Sequence, residues 1–196
     1  MGNSHKNSNK SIIVDNCEII NNCIMYKSND YIKLFIMGDC KTGKSQITNR
    51  LCNIDYDDQY FKTYVFDFNK VLMQHFNKNI LLNIMDLSGN IKSTTIHSLT
   101  HDKDKIIFFV FDLTNKESFD NIITWNQIYE QEDNNKSLKI LIGNKCDLQN
   151  TCISFDEIKK LSNILDSAYF EVSAKDNIGF SDILKYLNFN INVVDP

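Results

Sequence analysis

The sequence predicts an α/β domain, a mostly parallel six-stranded sheet with helices on both faces. Two observations lead there. Short apolar runs alternate with amphipathic stretches of helical period, the pattern of strands joined by crossover helices. The chain has 196 residues, 42% of them hydrophobic, which suits one packed core rather than a disordered or disulfide-stapled chain.

Residues 1–11 are rich in Asn, Ser and Lys, offer nothing to bury and read as a mobile arm. Small apolar clusters follow, at Ile12-Ile13-Val14, Ile19-Ile20 and Ile24-Met25-Tyr26, and these fit a seat on the domain or on a partner equally well. Residues 1–30 are thus an N-terminal extension, 31–190 the domain and 191–196 a short tail. Strands are expected at 32–37, 65–76, 80–85, 106–111, 138–142 and 168–172. Asn77-Lys78-Asn79 reads as a hairpin turn between the second and third of these. Helices are expected at 44–53, 116–131, 155–165 and 178–189, and Ser154 with Glu157 forms a capping-box signal for the third.

Composition excludes several functions. A net charge of −4 disfavours nucleic acid as a partner. The six cysteines form no CxxC pair and no Cys/His set with zinc spacing, so they read as free thiols of a reducing compartment. The polar N-terminus is no secretory signal. Apolar stretches of six or seven residues fall far short of the roughly 20 a transmembrane helix needs. His5, His75, His97 and His101 share no metal spacing.

The first strand runs into Gly38-Asp39-Cys40-Lys41-Thr42-Gly43-Lys44-Ser45, which in turn opens a helix. This G-x-x-x-x-G-K-S spacing is a phosphate-binding P-loop. Phosphates demand many donors at once. Glycines let the backbone N–H groups of Asp39 to Gly43 wrap around them, and the helix start through Ser45 and Gln46 adds its dipole. Lys44 then reaches the β- and γ-phosphates, and the Ser45 hydroxyl ligates Mg2+.

After the fifth expected strand stands Asn144-Lys145-Cys146-Asp147-Leu148, at a strand end where open parallel sheets bind ligands. Guanine offers two neighbouring donors, N1–H and the exocyclic amine, and one carboxylate, Asp147, accepts both. Adenine presents an acceptor at that ring nitrogen and is repelled. Ser173-Ala174-Lys175 follows the sixth strand, where a backbone N–H can meet the guanine carbonyl.

With these segments in place, the chain resembles the Ras-like small GTPases over about residues 31–190, and among them is most similar to the Rab family. Further likenesses are Phe111-Asp112-Leu113-Thr114-Asn115-Lys116-Glu117-Ser118-Phe119 with Trp125, and Asp67-Phe68 as the end of a Rab-type motif. Thr63 stands at the family's switch I spacing from Ser45, and Tyr56 where an aromatic packs edge-on against guanine. The resemblance implies the small-GTPase fold and GTP or GDP bound with Mg2+. It also implies that Thr63 completes the metal shell with Ser45 and Asp86, and that Gly89 donates its N–H to the γ-phosphate. Loss of that phosphate then releases both switch segments. The reaction implied is hydrolysis of GTP to GDP and phosphate, with Lys44, Thr63, Gly89 and Asn90 around the reacting group.

Departures matter as much. The family's DTAGQE is here Asp86-Leu87-Ser88-Gly89-Asn90-Ile91. Asn90 carries the water-orienting amide one methylene, about 1.5 Å, short, when a misplacement of about 1 Å costs about a hundredfold in rate. Slow hydrolysis is expected. The stretch Ser98-Leu99-Thr100-His101-Asp102-Lys103 lacks the usual aromatic and arginine residues, so a different effector surface is expected. Arg50 is the lone arginine, about 7.5 Å along the helix from Ser45, so an arginine finger has to come from an activating protein. Effectors and an exchange factor are the other implied partners of a monomeric switch.

The last cysteine, Cys152, lies far from the C-terminus, so the prenylated tail usual in Rabs is not expected. Gly2 raises N-myristoylation, though Lys6 stands where that pattern wants Ser or Thr. The expected location is the cytoplasm, with peripheral attachment to the cytosolic face of an intracellular membrane as an option. Two competing readings are a hydrolysis-deficient nucleotide-binding scaffold, motivated by Ser88, Asn90 and Ile91, and a P-loop ATPase or kinase, which Asp147 argues against.

Overall fold

A computed structural model describes residues 11–14, 17–20, 31–59, 61–75, 78–99, 105–130 and 137–191. For 11–14, 17–20, 74, 75, 78, 79, 97 and 98 it describes the backbone only. The remaining residues include Gly2, His5, Ile24 to Tyr26, Asn77, Thr100 to Lys103 and the tail from Asn192, so the expectations placed on them lie outside what is described.

Six strands of the expected domain form: β3 (Tyr31–Met37), β4 (Phe66–His75), β5 (Lys78–Leu87), β6 (Lys105–Asp112), β7 (Leu138–Asn144) and β8 (Ala168–Val172). Two shorter ones, β1 (Ser11–Val14) and β2 (Cys17–Ile20), precede them and extend the sheet to eight strands, in the order β1-β2-β4-β5-β3-β6-β7-β8. The strands from β5 through β8 run parallel, and β4 lies antiparallel to β5. The first two N-terminal apolar clusters thus sit on the domain: β1 pairs with β2, and β2 pairs antiparallel with β4, Ile19 opposite Met73 and Ile20 opposite Leu72. Ser11, counted in the arm by composition, opens β1.

Helices are α1 (Lys44–Leu51), α2 (Ser93–Leu99), α3 (Lys116–Asp120), α4 (Ile122–Glu130), α5 (Phe155–Leu165) and α6 (Phe180–Asn190). Strand alternation decides the layers. On β6, Ile106, Phe108 and Val110 face a core shared with Ile47 and Leu51 of α1 and with Ile183, Leu184 and Leu187 of α6. Its other side, Ile107, Phe109 and Phe111, packs with Phe119, Ile122, Trp125, Tyr129, Ile158 and Leu161. A strand with both faces covered has no polar side to show.

Three local readings are corrected. Lys78 and Asn79 are ladder residues opposite His75 and Gln74, not turn, because the antiparallel pairing continues past the apolar run. The helix expected over 116–131 is divided at Asn121 into α3 and α4, though Asn121 keeps its backbone bonds to Glu117 and Trp125. α2 went unread, since Ile96 and Leu99 are its only large apolar residues and make too weak a period. The capping box forms: Ser154 accepts from the Glu157 N–H, and the Glu157 carboxylate accepts from the Ser154 N–H.

Strand order places the site. From β3 the chain passes to β4 and β5 on one side, then crosses to β6, β7 and β8 on the other. The carboxyl end of β3 is therefore a topological switch point, where such sheets leave a crevice.

Candidate nucleotide site

The loop 38–43 leaves β3 at that crevice and ends at Gly43, the residue before α1. Gly43 has φ 94°, and a Cβ there would lie 2.1 Å from Asn144 Nδ2, so both torsion and space require glycine. No side chain caps α1, which leaves its first N–H groups facing the crevice. Lys44 is buried and donates from Nζ to the carbonyls of Gly38 at 2.9 Å and Asp39 at 2.7 Å. Burial pulls its pKa down, opposed by the nearby Asp86 charge. A desolvated ammonium across the loop is poised to exchange these carbonyls for a stronger anion.

Behind the start of α1, three oxygen side chains converge. Ser45 Oγ donates to Asp86 Oδ2 at 2.5 Å and lies 3.3 Å from Thr63 Oγ1, which is 3.5 Å from the same carboxylate oxygen. Asp86 is 1% exposed, and its buried Oδ1 has no hydrogen-bond partner among the described residues. Burial pushes the Asp86 carboxyl up to about 6. An orphaned carboxylate oxygen beside two hydroxyls is a hard-oxygen set that fits Mg2+, which keeps waters and ligand phosphates in the rest of its shell. Among the described residues no cluster of three or more His, Cys, Asp or Glu offers an alternative metal site. Gly89 closes this end: a Cβ there would meet the Cys40 nitrogen at 2.2 Å.

At the far end, Asn144 on β7 ties two loops together. Its Nδ2 donates to the Thr42 carbonyl at 2.8 Å, and its Oδ1 accepts from the Ala174 N–H at 3.2 Å. The Ser173 hydroxyl donates to Asp147 Oδ1 at 2.6 Å, and takes the Asp176 N–H at 3.0 Å. Lys145, with φ 67°, sends its ammonium to Asp112 Oδ2 at 2.5 Å. The Arg50 guanidinium reaches the carbonyls of Ala174 and Lys175.

Between these ends lies a cavity of about 730 Å³, within the span of small-molecule sites. Its wall holds Cys40, Lys41, Gly43, Lys44, Ser45, Gln46, Tyr56, Thr63, Gly89, Asn144, Lys145, Asp147, Leu148, Ala174 and Lys175, all expected from sequence. Asp39, Thr42, Asp86, Asn90 and Ser173 are not in that wall. The Asp39 carboxylate is turned away, taking the Asn121 amide at 2.7 Å and the Trp125 indole N–H at 2.8 Å, which leaves its backbone to the loop. Thr42 bonds the Asp39 carbonyl, and Asn90 donates its N–H to the Ser88 hydroxyl at 3.4 Å. Lys41 is exposed at φ 65°. Sequence reading missed Arg50, Asp112, Asn121 and the polar end of Trp125. Their donors and acceptors lie tens of residues from their partners, and no local spacing betrays them.

A family model described as Ras family matches residues 33–192, most of the chain. The chain belongs to the Ras family. Within it this protein is a Rab-like small GTPase with the corresponding fold. The GTP-binding protein ypt2 of Schizosaccharomyces pombe is 34% identical over 158 residues, 80% of this chain and 79% of that one. Ras-related protein RIC1 of Oryza sativa is 36% identical over 152 residues, covering 75% of this chain and 74% of its own. Ras-related protein Rab-1 of Theileria parva is 36% identical over 152 residues, covering 76% and 69%. Among the described residues no helix of this Rab-like chain is long and apolar enough to cross a membrane.

Proposed function

We propose that the cavity takes GTP or GDP with Mg2+, and that the chain is a molecular switch that hydrolyses GTP slowly. The observation carrying this reading is that the glycine-flanked phosphate loop and the Asp147 carboxylate face one cavity from opposite ends. Lys44 and the backbone from Asp39 to Gly43 hold the phosphates. Ser45, Thr63 and Asp86 would hold the metal, which would supply Lewis-acid stabilisation of phosphate charge. Asp147 accepts the two donors of guanine, kept in place by Ser173. Thr63 and Gly89 sense the γ-phosphate, and Asn90 orients the attacking water with too short a reach.

Residues 31–190 act as the nucleotide-binding unit, with 1–30 an extension and 191–196 a tail. Effectors read the switch segments, and the exposed Phe61 and Tyr64 beside Thr63, with Phe66 and Phe68 on β4, give them apolar surface to dock on. An exchange factor and an activating protein that brings an arginine complete the cycle. The setting is vesicle trafficking or signalling in the cytoplasm or on the cytosolic face of an intracellular membrane. Titration of nucleotide-stripped protein with fluorescent GDP and ADP tests the core of this reading: GDP binds far tighter with Mg2+ than without, and ADP fails to compete. Equal affinity for both would overturn it.

Asn90 outside the cavity wall favours a second reading, a hydrolysis-deficient scaffold. Partner capture that is identical in the GDP and GTP-analogue states decides for the scaffold.

A further inference from the structure

We infer that Arg50 is a positioning residue for base selection, holding the 173–175 segment at a set distance from the phosphate loop; this rests on the guanine-nucleotide reading above. Arg50 is the only arginine in the chain and stands in the last turn of α1. Its Nε donates to the Ala174 carbonyl at 2.7 Å and its Nη2 to the Lys175 carbonyl at 2.8 Å. Two N–H groups of one planar, permanently charged fork thus take two successive carbonyls. The side chain is only 15% exposed, and the bond to Ala174 is partly buried while that to Lys175 lies at the surface.

Consequences follow from what else that segment does. The Ala174 peptide is gripped on both sides, its N–H by Asn144 and its carbonyl by Arg50. Ser173, one residue earlier, fixes the Asp147 carboxylate. α1 starts at Lys44, directly after the phosphate loop, so a rigid helix joins the phosphate end of the cavity to the fork that holds the base end. The ion-pair alternative is weak, because Asp55 is 3.9 Å from Nη1 and fully exposed. Among the described residues, the guanidinium's hydrogen bonds go to the base loop. Asp147 can distinguish the exocyclic amine of guanine only if the segment behind Ser173 does not drift.

Full-length Arg50→Gln and Arg50→Lys proteins are stripped, refilled and assayed for release and affinity of GDP and of inosine diphosphate, which lacks that amine. Arg50→Gln is expected to release GDP about ten- to a hundredfold faster. Its preference for GDP over inosine diphosphate shrinks, and Arg50→Lys, which keeps the charge and loses the fork, falls between. A general loss of stability speeds both releases equally and leaves their ratio alone, so an unchanged ratio overturns the inference. Should Arg50→Gln fail to fold, Arg50→Lys carries the same test. The unaltered protein separates the two levels: if it does not prefer GDP to ADP, the guanine reading fails. If it does and the variants match its ratio, only the role of Arg50 fails.

Discussion

Alanine at position 89 probes how closely the segment after β5 approaches the phosphate loop. A Cβ built there would lie 2.2 Å from the Cys40 nitrogen, 2.6 Å from the Asp39 carbonyl carbon and 2.7 Å from the Cys40 Cα. All three are backbone atoms, so no side chain can rotate aside. Restoring an ordinary contact of 3.4 Å from 2.2 Å parts the two segments by about 1.2 Å. Overpacking of this kind costs about 1–3 kcal/mol, or a melting point lower by roughly 2–12 °C in a chain of this size. A shift of about 1 Å between the loop and the Gly89 N–H is also worth about a hundredfold in the chemical step. Gly89→Ala protein is expected to keep GDP while losing at least tenfold in GTP-analogue affinity, because in the proposed binding mode only the triphosphate reaches Gly89. Thermal melts, competitive titration with GDP and a GTP analogue, and single-turnover hydrolysis measure all three effects. A variant that melts within about 1 °C of the parent and binds the analogue within twofold would refute the reasoning.

Asn90→Gln restores the missing methylene and is expected to raise single-turnover hydrolysis by about ten- to a hundredfold, with GDP affinity unchanged; an equal rate shows that reach is not what limits the step. Asp39→Ala strands the Trp125 indole and the Asn121 amide, both bonded to that carboxylate, and should cost about 1–3 kcal/mol. Denaturant unfolding followed by the emission of Trp125, the only tryptophan, reads this directly, and a loss under about 0.5 kcal/mol contradicts it. Ser154→Ala removes the capping box of α5 at a cost of about 1 kcal/mol, visible as a lower melting point. The Ser154 hydroxyl, the Ser154 N–H and Lys116 hold the Glu157 carboxyl down at about 2, below its ordinary 4.5. A depressed carboxyl adds stability that is complete above about pH 4.5 and fades as pH falls toward 2. The melting-point gap between the parent and Glu157→Gln should therefore close across that window; a constant gap argues against the bond network.

Much of the cavity wall was legible because the residues proposed for phosphate and guanine lie in contiguous stretches. Gly38 to Ser45 is one loop, Asn144 to Asp147 another, and each contains its own torsional and donor requirements. The unbroken apolar run from Ile106 to Phe111 likewise fits a strand with two covered faces. Where the signal was short or polar, reading failed. α2 carries too few apolar residues to show a period, and the ladder continued through Lys78 and Asn79 because pairing with β4 outweighs their weak strand preference. The division at Asn121 has no local warning, and its side-chain bond to Asp39 joins it to a loop far behind it in the chain.

Residue type and spacing alone thus pointed to the chemistry proposed for the chain: phosphate at one loop, a purine with two adjacent donors at another, a divalent cation on oxygens between them. Only the folded arrangement decided which side chains hold these loops in relation to each other. Asn144 bonds Thr42 and Ala174 at once, Arg50 reaches across to Ala174 and Lys175, and Asp39 turns from the cavity to Trp125. The physical reason is range: torsion and periodicity act between near neighbours in sequence, whereas a buried donor takes whatever acceptor the packing of sheet and helices brings within about 3 Å.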